Sequence, residues 1–240
     1  MEEKKFKDKL KKNADLIGVS LNEENLDKLY KYKDLVLEWN EKINLTAITE
    51  DTEFAVKHFI DSLTINKYIE PNKTIIDIGT GAGFPGIPLK ILNKENKMVL
   101  FDSLNKRLKV LEDIIEKIEL KNIETLHGRA EETFKNKQHR EKYDIAVSRA
   151  VAALNVLVEL MLPAVKVGGM CICMKGNNAE EEIKEAKKAI KELGGEIIKI
   201  EKIMLPELNL ERNIIIIKKV KQTPNRYPRK PGTPQKEPIK

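Results

Sequence analysis

The rhythm of apolar and polar positions changes near residue 74. Before it, apolar residues recur at helical spacing: Leu26, Leu29, Tyr30, Val36 and Leu37 follow Ser20-Leu-Asn-Glu23, which has the form of a capping box. Trp39-Asn-Glu-Lys-Ile-Asn-Leu-Thr46 reads as the end of that helix, and a further amphipathic stretch from Thr52 to Ile69 stops at Pro71. After residue 74, short apolar runs alternate with helical patterns. Strands are expected over 74–78, 98–101, 123–126, 143–148 and 169–174, and helices over 85–92, 105–119, 154–165 and 180–193. Two last apolar runs, 196–203 and 213–220, have no helix between them, which predicts a hairpin at a sheet edge.

Strand–helix alternation argues for an α/β fold: a mostly parallel, Rossmann-like sheet with right-handed crossovers and helices on both faces. Dinucleotide-binding domains usually continue the alternation to their end. An antiparallel pair at the edge of a seven-stranded sheet is instead the habit of class I S-adenosylmethionine (SAM)-dependent methyltransferases. The expected organisation is an N-terminal helical extension over 1–70, a SAM-binding domain over 71–220 and a C-terminal tail over 221–240.

Charge adds one feature. The 240 residues carry 44 Lys+Arg against 38 Asp+Glu, a net +6. From Lys218 to Lys240 there are eight basic residues and one acid, Glu237, so the tail alone carries +7 and the body is close to neutral. Five prolines in that tail favour an extended chain, expected to lie on a surface rather than in the core. The most apolar stretch, 150–165, is interrupted by Asn155, Glu159 and Pro163, too short for a membrane span. The N-terminus has no apolar segment of the secretory kind. Cys171 and Cys173 lie two apart on a strand, which suits buried reduced thiols, and the three His are scattered at 58, 127 and 139. A cytoplasmic, metal-free protein is expected, and a monomer.

Thr74-Ile-Ile-Asp-Ile-Gly-Thr-Gly-Ala-Gly-Phe-Pro-Gly-Ile-Pro88 carries the candidate chemistry. A buried strand runs into a glycine turn that opens a helix, where backbone N–H groups can approach a ligand. Gly81-Ala-Gly83-Phe-Pro-Gly86 satisfies the nucleotide fingerprint G-x-G-x-x-G, with Asp102 21 residues beyond Gly81. Asp77, two residues before the first glycine, would repel a pyrophosphate but suits the ammonium and sulfonium of SAM. Asp102, ending the second strand, can accept ribose hydroxyls in either cofactor. Ligands of open α/β sheets sit beyond the carboxyl ends of the strands, so Arg129, Ala130 and Glu131 after the third strand and Arg149 after the fourth belong to the same crevice. Arg129 and Glu131 also read as a solvated pair, and Arg149 as a partner of Glu131. Trp39 and His58 read as packing residues.

These residues, taken together, resemble the RsmG methyltransferases (GidB, glucose-inhibited division protein B). The resemblance rests on the glycine loop Asp77–Leu89 and on blocks along nearly the whole chain: Trp39–Leu45, His58-Phe-Ile-Asp-Ser-Leu63, Asp102–Arg107, Arg129-Ala-Glu131, Ser148–Ala152, Lys175-Gly176 and Tyr227–Lys236. It implies methyl transfer from SAM to N7 of a guanine in a loop of bacterial 16S rRNA near the decoding site. It also implies a cofactor held against Gly79, Phe84, Asp102, Ala130, Glu131 and Arg149. Phe84 stands where the family pattern leads one to expect an aliphatic side chain. Asp77 and Gly81 join the cofactor set from the loop reading above. Arg149 is expected to orient guanine through O6, and Lys175, Arg226, Arg229 and Lys230 to meet rRNA or the small subunit. The alternatives are a SAM enzyme for a small molecule, an NAD(P) oxidoreductase and a non-catalytic RNA-binding module.

Overall fold

The computed structural model describes residues 1–239. Seven strands form one sheet: β1 (Thr74–Ile78), β2 (Lys97–Asp102), β3 (Ile123–His127), β4 (Tyr143–Arg149), β5 (Val165–Lys175), β6 (Gly195–Leu205) and β7 (Leu210–Lys219). Their order is β3-β2-β1-β4-β5-β7-β6, and β7 runs antiparallel to both neighbours. The chain starts in the middle of the sheet at β1, works outward to β3, then returns to place β4 on the other side of β1. That reversal lies between β1 and β4, and their carboxyl ends open the crevice where such folds bind ligands.

Alternation along the strands sorts side chains into two cores. Ile75, Met98 and Leu100 face a layer made by α1 (Glu3–Leu16), α2 (Glu23–Asn40), α5 (Gly86–Leu92) and α6 (Asn105–Lys117). Ile76, Ile78, Val99 and Phe101 face α7 (Ala130–Thr133), α8 (Leu154–Met161) and α9 (Ala179–Glu192). The N-terminal helices therefore share a core with the sheet: Phe6, Leu10 and Ala14 of α1, at four-residue spacing, are fully buried in it.

Local chemistry explains where the elements depart from expectation. The capping box forms two residues later than Ser20: Asn22 Oδ1 accepts the Asn25 N–H at 2.8 Å and Asn25 Oδ1 accepts the Asn22 N–H at 3.2 Å. Asparagine supplies the same acceptor as serine and a longer reach. The stretch expected as one helix over 52–69 is divided into α3 (Asp51–Phe54), a π-helical turn (Ala55–Ile60), α4 (Asp61–Leu63) and a 3-10 turn (Asn66–Tyr68). The strand expected from 169 begins at Val165, because a register shift against β4 lets Gly168 turn at φ +90° and pairing resume.

The tail does not keep to the surface. Tyr227, Pro234 and Ile239 are buried, and Tyr227 and Ile239 belong to the α8–α9 core. Proline has no N–H to satisfy, so a proline-rich chain can be laid against the protein with few orphaned donors. Its carbonyls are collected by Arg140, which donates to Thr223 O at 2.6 Å and Tyr227 O at 2.7 Å. Cys171 and Cys173 are buried side by side as free thiols, and burial pushes Cys173 up to about 12.

Candidate functional site

The loop after β1 is organised by two buried carboxylates, Asp77 and Asp102. Asp77 is fully buried, and its Oδ2 accepts from Thr80 Oγ1 at 2.7 Å and from the Gly86 N–H at 2.9 Å. It thus closes the loop from beneath and holds the first turn of α5. Its other oxygen has no partner, and burial raises its pKa to about 6 despite those two donors. Asp102 Oδ2 accepts the Gly81 N–H at 3.0 Å and Oδ1 the Leu104 N–H at 2.8 Å. The N–H groups of Gly79 and Thr80 both donate to Phe101 O, at 2.9 and 3.1 Å, pinning the loop to the end of β2.

A cavity of about 320 Å³ opens above this loop, at the carboxyl ends of β1, β2 and β3. Gly79, Asp102, Ser103, Arg107, Ala130, Glu131 and Val151 line it. Gly79 sits at φ +74°, and a Cβ there would lie 2.5 Å from Val151 Cγ2, so only glycine leaves the opening clear. Each Asp102 oxygen retains a lone pair for ribose hydroxyls after serving the backbone. Volume, the glycine cradle and the spare acceptors fit the nucleoside part of SAM.

A second crevice of about 690 Å³ lies across the 150–151 segment, which lines both. Its chemistry is carried by side chains. Arg149 Nη1 donates to Lys57 O at 2.6 Å and to Asp61 Oδ2 at 3.1 Å, and Nη2 meets His58 Nδ1 at 3.1 Å. The π-helical turn makes this possible, because it offers the Lys57 carbonyl to a side chain and brings His58 and Asp61 to one guanidinium. Arg212 from β7 donates Nε to the same Asp61 oxygen at 3.3 Å. Lys175 pairs with Glu182 at 2.6 Å and donates to Ala152 O. His58 stacks flat on Phe84, ring centroids 4.3 Å apart, and bonds Thr46 Oγ1 at 2.8 Å through Nε2. Burial, with the Arg149 and Lys57 charges nearby, pulls its pKa down to about 3, so it is neutral and accepts from Arg149.

The expected residues therefore separate. Gly79, Asp102, Ala130 and Glu131 line the first cavity. Asp77, expected to face the cofactor's cation, is turned beneath the loop, because the Gly86 and Thr80 donors claim it. Gly81 is held through its N–H by Asp102. The Phe84 side chain points away, packed on Tyr32, Phe59 and His58 in the helical layer. Arg149 and Lys175 line the second crevice, and the partner of Arg149 is Asp61, not Glu131. Arg229, expected to meet phosphate, forms an ion pair with the wholly buried Glu159 at 2.7 Å. Arg226 pairs with Glu192 at 2.6 Å and Lys230 is exposed. Nothing in the residues alone points to Asp61 or Arg212, and His58 reads as a packing residue. Asp61 and His58 stand within a block matched only by resemblance.

Comparison with known proteins gives this geometry a family. The model of the GidB family, described as rRNA small subunit methyltransferase G, matches residues 25–215. The chain belongs to that family. The chain is 50% identical to ribosomal RNA small subunit methyltransferase G of Alkaliphilus metalliredigens over 233 residues, which is 96% of this chain and 98% of that one. It is 52% identical to the Acetivibrio thermocellus protein of the same name, across the full length of both. Among solved structures it resembles a SAM-dependent O-methyltransferase from Thermotoga maritima, with a TM-score of 0.52 at 16% identity over 79% of this chain and 72% of that one, a likeness of fold. As a member of the GidB family the chain is a SAM-dependent enzyme that methylates rRNA. Among the described residues no cluster of His, Cys, Asp and Glu is placed to hold a metal ion, and no helix is long and apolar enough to cross a membrane.

Proposed function

We propose that the methyl group goes to N7 of a guanine in a 16S rRNA loop near the decoding site, with SAM in the cavity beside Asp102 and the base in the crevice beside Arg149. The observation that carries this reading is the shared wall: Ala150 and Val151 line both cavities, so a cofactor and a base would meet at a two-residue partition. SAM supplies an electrophilic methyl on a sulfonium. Gly79, Asp102, Ala130 and Glu131 are the residues to hold it.

Guanine N7 carries a free lone pair, so its methylation needs no general base and no metal. The second crevice agrees with that requirement. His58 is neutral but already accepts from Arg149, and it orients that guanidinium instead of removing a proton. Arg149 commits three donor contacts to Lys57, Asp61 and His58. A guanidinium has five N–H donors, so some remain for O6, the acceptor next to N7. Lys57, Arg149, Lys175 and Arg212 line the crevice against only Asp61 and Glu182, an excess of positive charge that suits an RNA backbone. An unpaired loop base can be splayed into such a crevice at modest cost. In this reading the enzyme works in the cytoplasm as a single chain.

Incorporation of tritiated methyl from SAM into small subunits lacking the modification tests the proposal, with the label mapped to guanine N7. Absence of label with every subunit and RNA preparation, or label on another atom, would overturn it.

A further inference from the structure

The C-terminal segment reaches the wall of the cofactor cavity. Glu131, which lines that cavity, accepts the Gly232 N–H on Oε1 at 3.1 Å. Gly232 turns at φ +81° into α10 (Thr233–Lys236). Three residues upstream, Arg229 makes the firmest attachment of the tail. Its Nε donates to both oxygens of Glu159, at 3.0 and 3.1 Å, its Nη2 to Oε2 at 2.7 Å, and its backbone N–H to Oε1 at 2.8 Å. Glu159 has no exposure to solvent and sits on α8 beside Leu160, which also lines the cavity. A buried carboxylate with four donor contacts in one direction fixes the chain that supplies them. Upstream, Arg140 grips Tyr227 O and Thr223 O, so the segment is held on both sides of Arg229.

We propose that Arg229 is a positioning residue for the cofactor site: by clamping the tail to α8 through Glu159 it sets Gly232 against Glu131 and fixes that carboxylate in the cavity wall. The inference rests on the reading of this cavity as the SAM site. It gives the basic tail a role in cofactor binding, where its charge alone pointed to RNA.

Titration of full-length protein with SAM, by calorimetry, tests it. Asp102→Ala is the control for the cavity and should weaken binding at least about tenfold; unchanged affinity would overturn the cavity reading and this inference with it. Given that control, Arg229→Ala should weaken SAM binding by about 5- to 10-fold, as should Glu131→Ala. The double variant should bind no worse than Glu131→Ala alone, because Arg229 acts through Glu131, and Arg229→Lys should recover part of the loss. Should Arg229→Ala fail to fold, the paired change Arg229→Leu with Glu159→Leu removes both charges together and is compared with Glu131→Ala in the same way. SAM affinity within twofold of wild type for the Arg229 variants, or losses at 229 and 131 that simply multiply, would overturn the inference. So would a loss confined to rRNA affinity.

Discussion

The two crevices that meet at Ala150 and Val151 are built of different materials. The cavity beside the glycine loop is a backbone site: glycines remove side chains, and carboxylates from β1 and β2 hold loop N–H groups in place. The second crevice is a side-chain site, in which Arg149, Asp61, His58 and Arg212 hold one another and Lys175 pairs with Glu182. Backbone sites are set by a short run of sequence. Side-chain sites are assembled from distant elements, here the π-helical turn, β4, β5 and β7. A change on one side should therefore leave the other largely intact.

The sharpest break is expected at Arg149. Arg149→Ala removes the group proposed to orient the base and leaves Asp61 with one of its two cations. Methyl transfer to small subunits should fall by about 10³-fold, roughly 4 kcal/mol of barrier, with SAM affinity within about twofold of wild type. Comparable losses in both would show that the crevices are one site.

Asp77 tests the buried half of the backbone site. Its folded pKa, about 6, lies above the ordinary 3.8, so between those values the folded chain binds more protons than the unfolded one. Stability from this group is complete below about pH 3.8 and is lost as pH rises to about 6, a change of about 3 kcal/mol. Asparagine does not titrate. The stability of Asp77→Asn relative to wild type, from urea unfolding, should therefore rise by that amount from pH 4 to pH 7. A flat difference would mean that the carboxylate is solvated.

Smaller effects bound the comparison. At Gly79, alanine adds a methyl 2.5 Å from Val151 Cγ2 at a φ that costs about 1–2 kcal/mol. SAM should bind about tenfold more weakly, and the fold should survive. Val151→Ala in the same background should recover part of the affinity; no recovery would place the fault in the backbone. Arg226→Ala sits at the bottom of the scale. Its side chain is 67% exposed and its pair with Glu192 is a surface one, so unfolding should shift by under about 1 kcal/mol. A larger shift would make Arg226 a second clamp of the tail.

The strands and the glycine loop were legible because their causes are local. Short apolar runs over 74–78 and 143–148 place β1 and β4 within a residue, and Asp102 at the end of β2 follows from the same reading. His58 was not legible: nothing within a few residues of it shows that a guanidinium 91 positions away will claim its Nδ1. Arg229 misled for the opposite reason. In a run of cations it reads as an RNA contact, and its partner Glu159 lies 70 positions earlier in an apolar helix.

By itself the sequence determined the alternating α/β fold with its edge hairpin, the glycine loop and the strand-end positions Gly79, Asp102, Ala130 and Glu131 that line the cavity beside it. Each depends on periodicity or on a backbone conformation that only certain residues adopt. Tertiary structure alone decided how the charges are spent. Arg149 turns to Asp61, Asp77 goes under the loop, and the basic tail folds back with Arg229 on Glu159. A buried charge must find its counterpart wherever the fold brings one, and that distance is not written in the order of the residues.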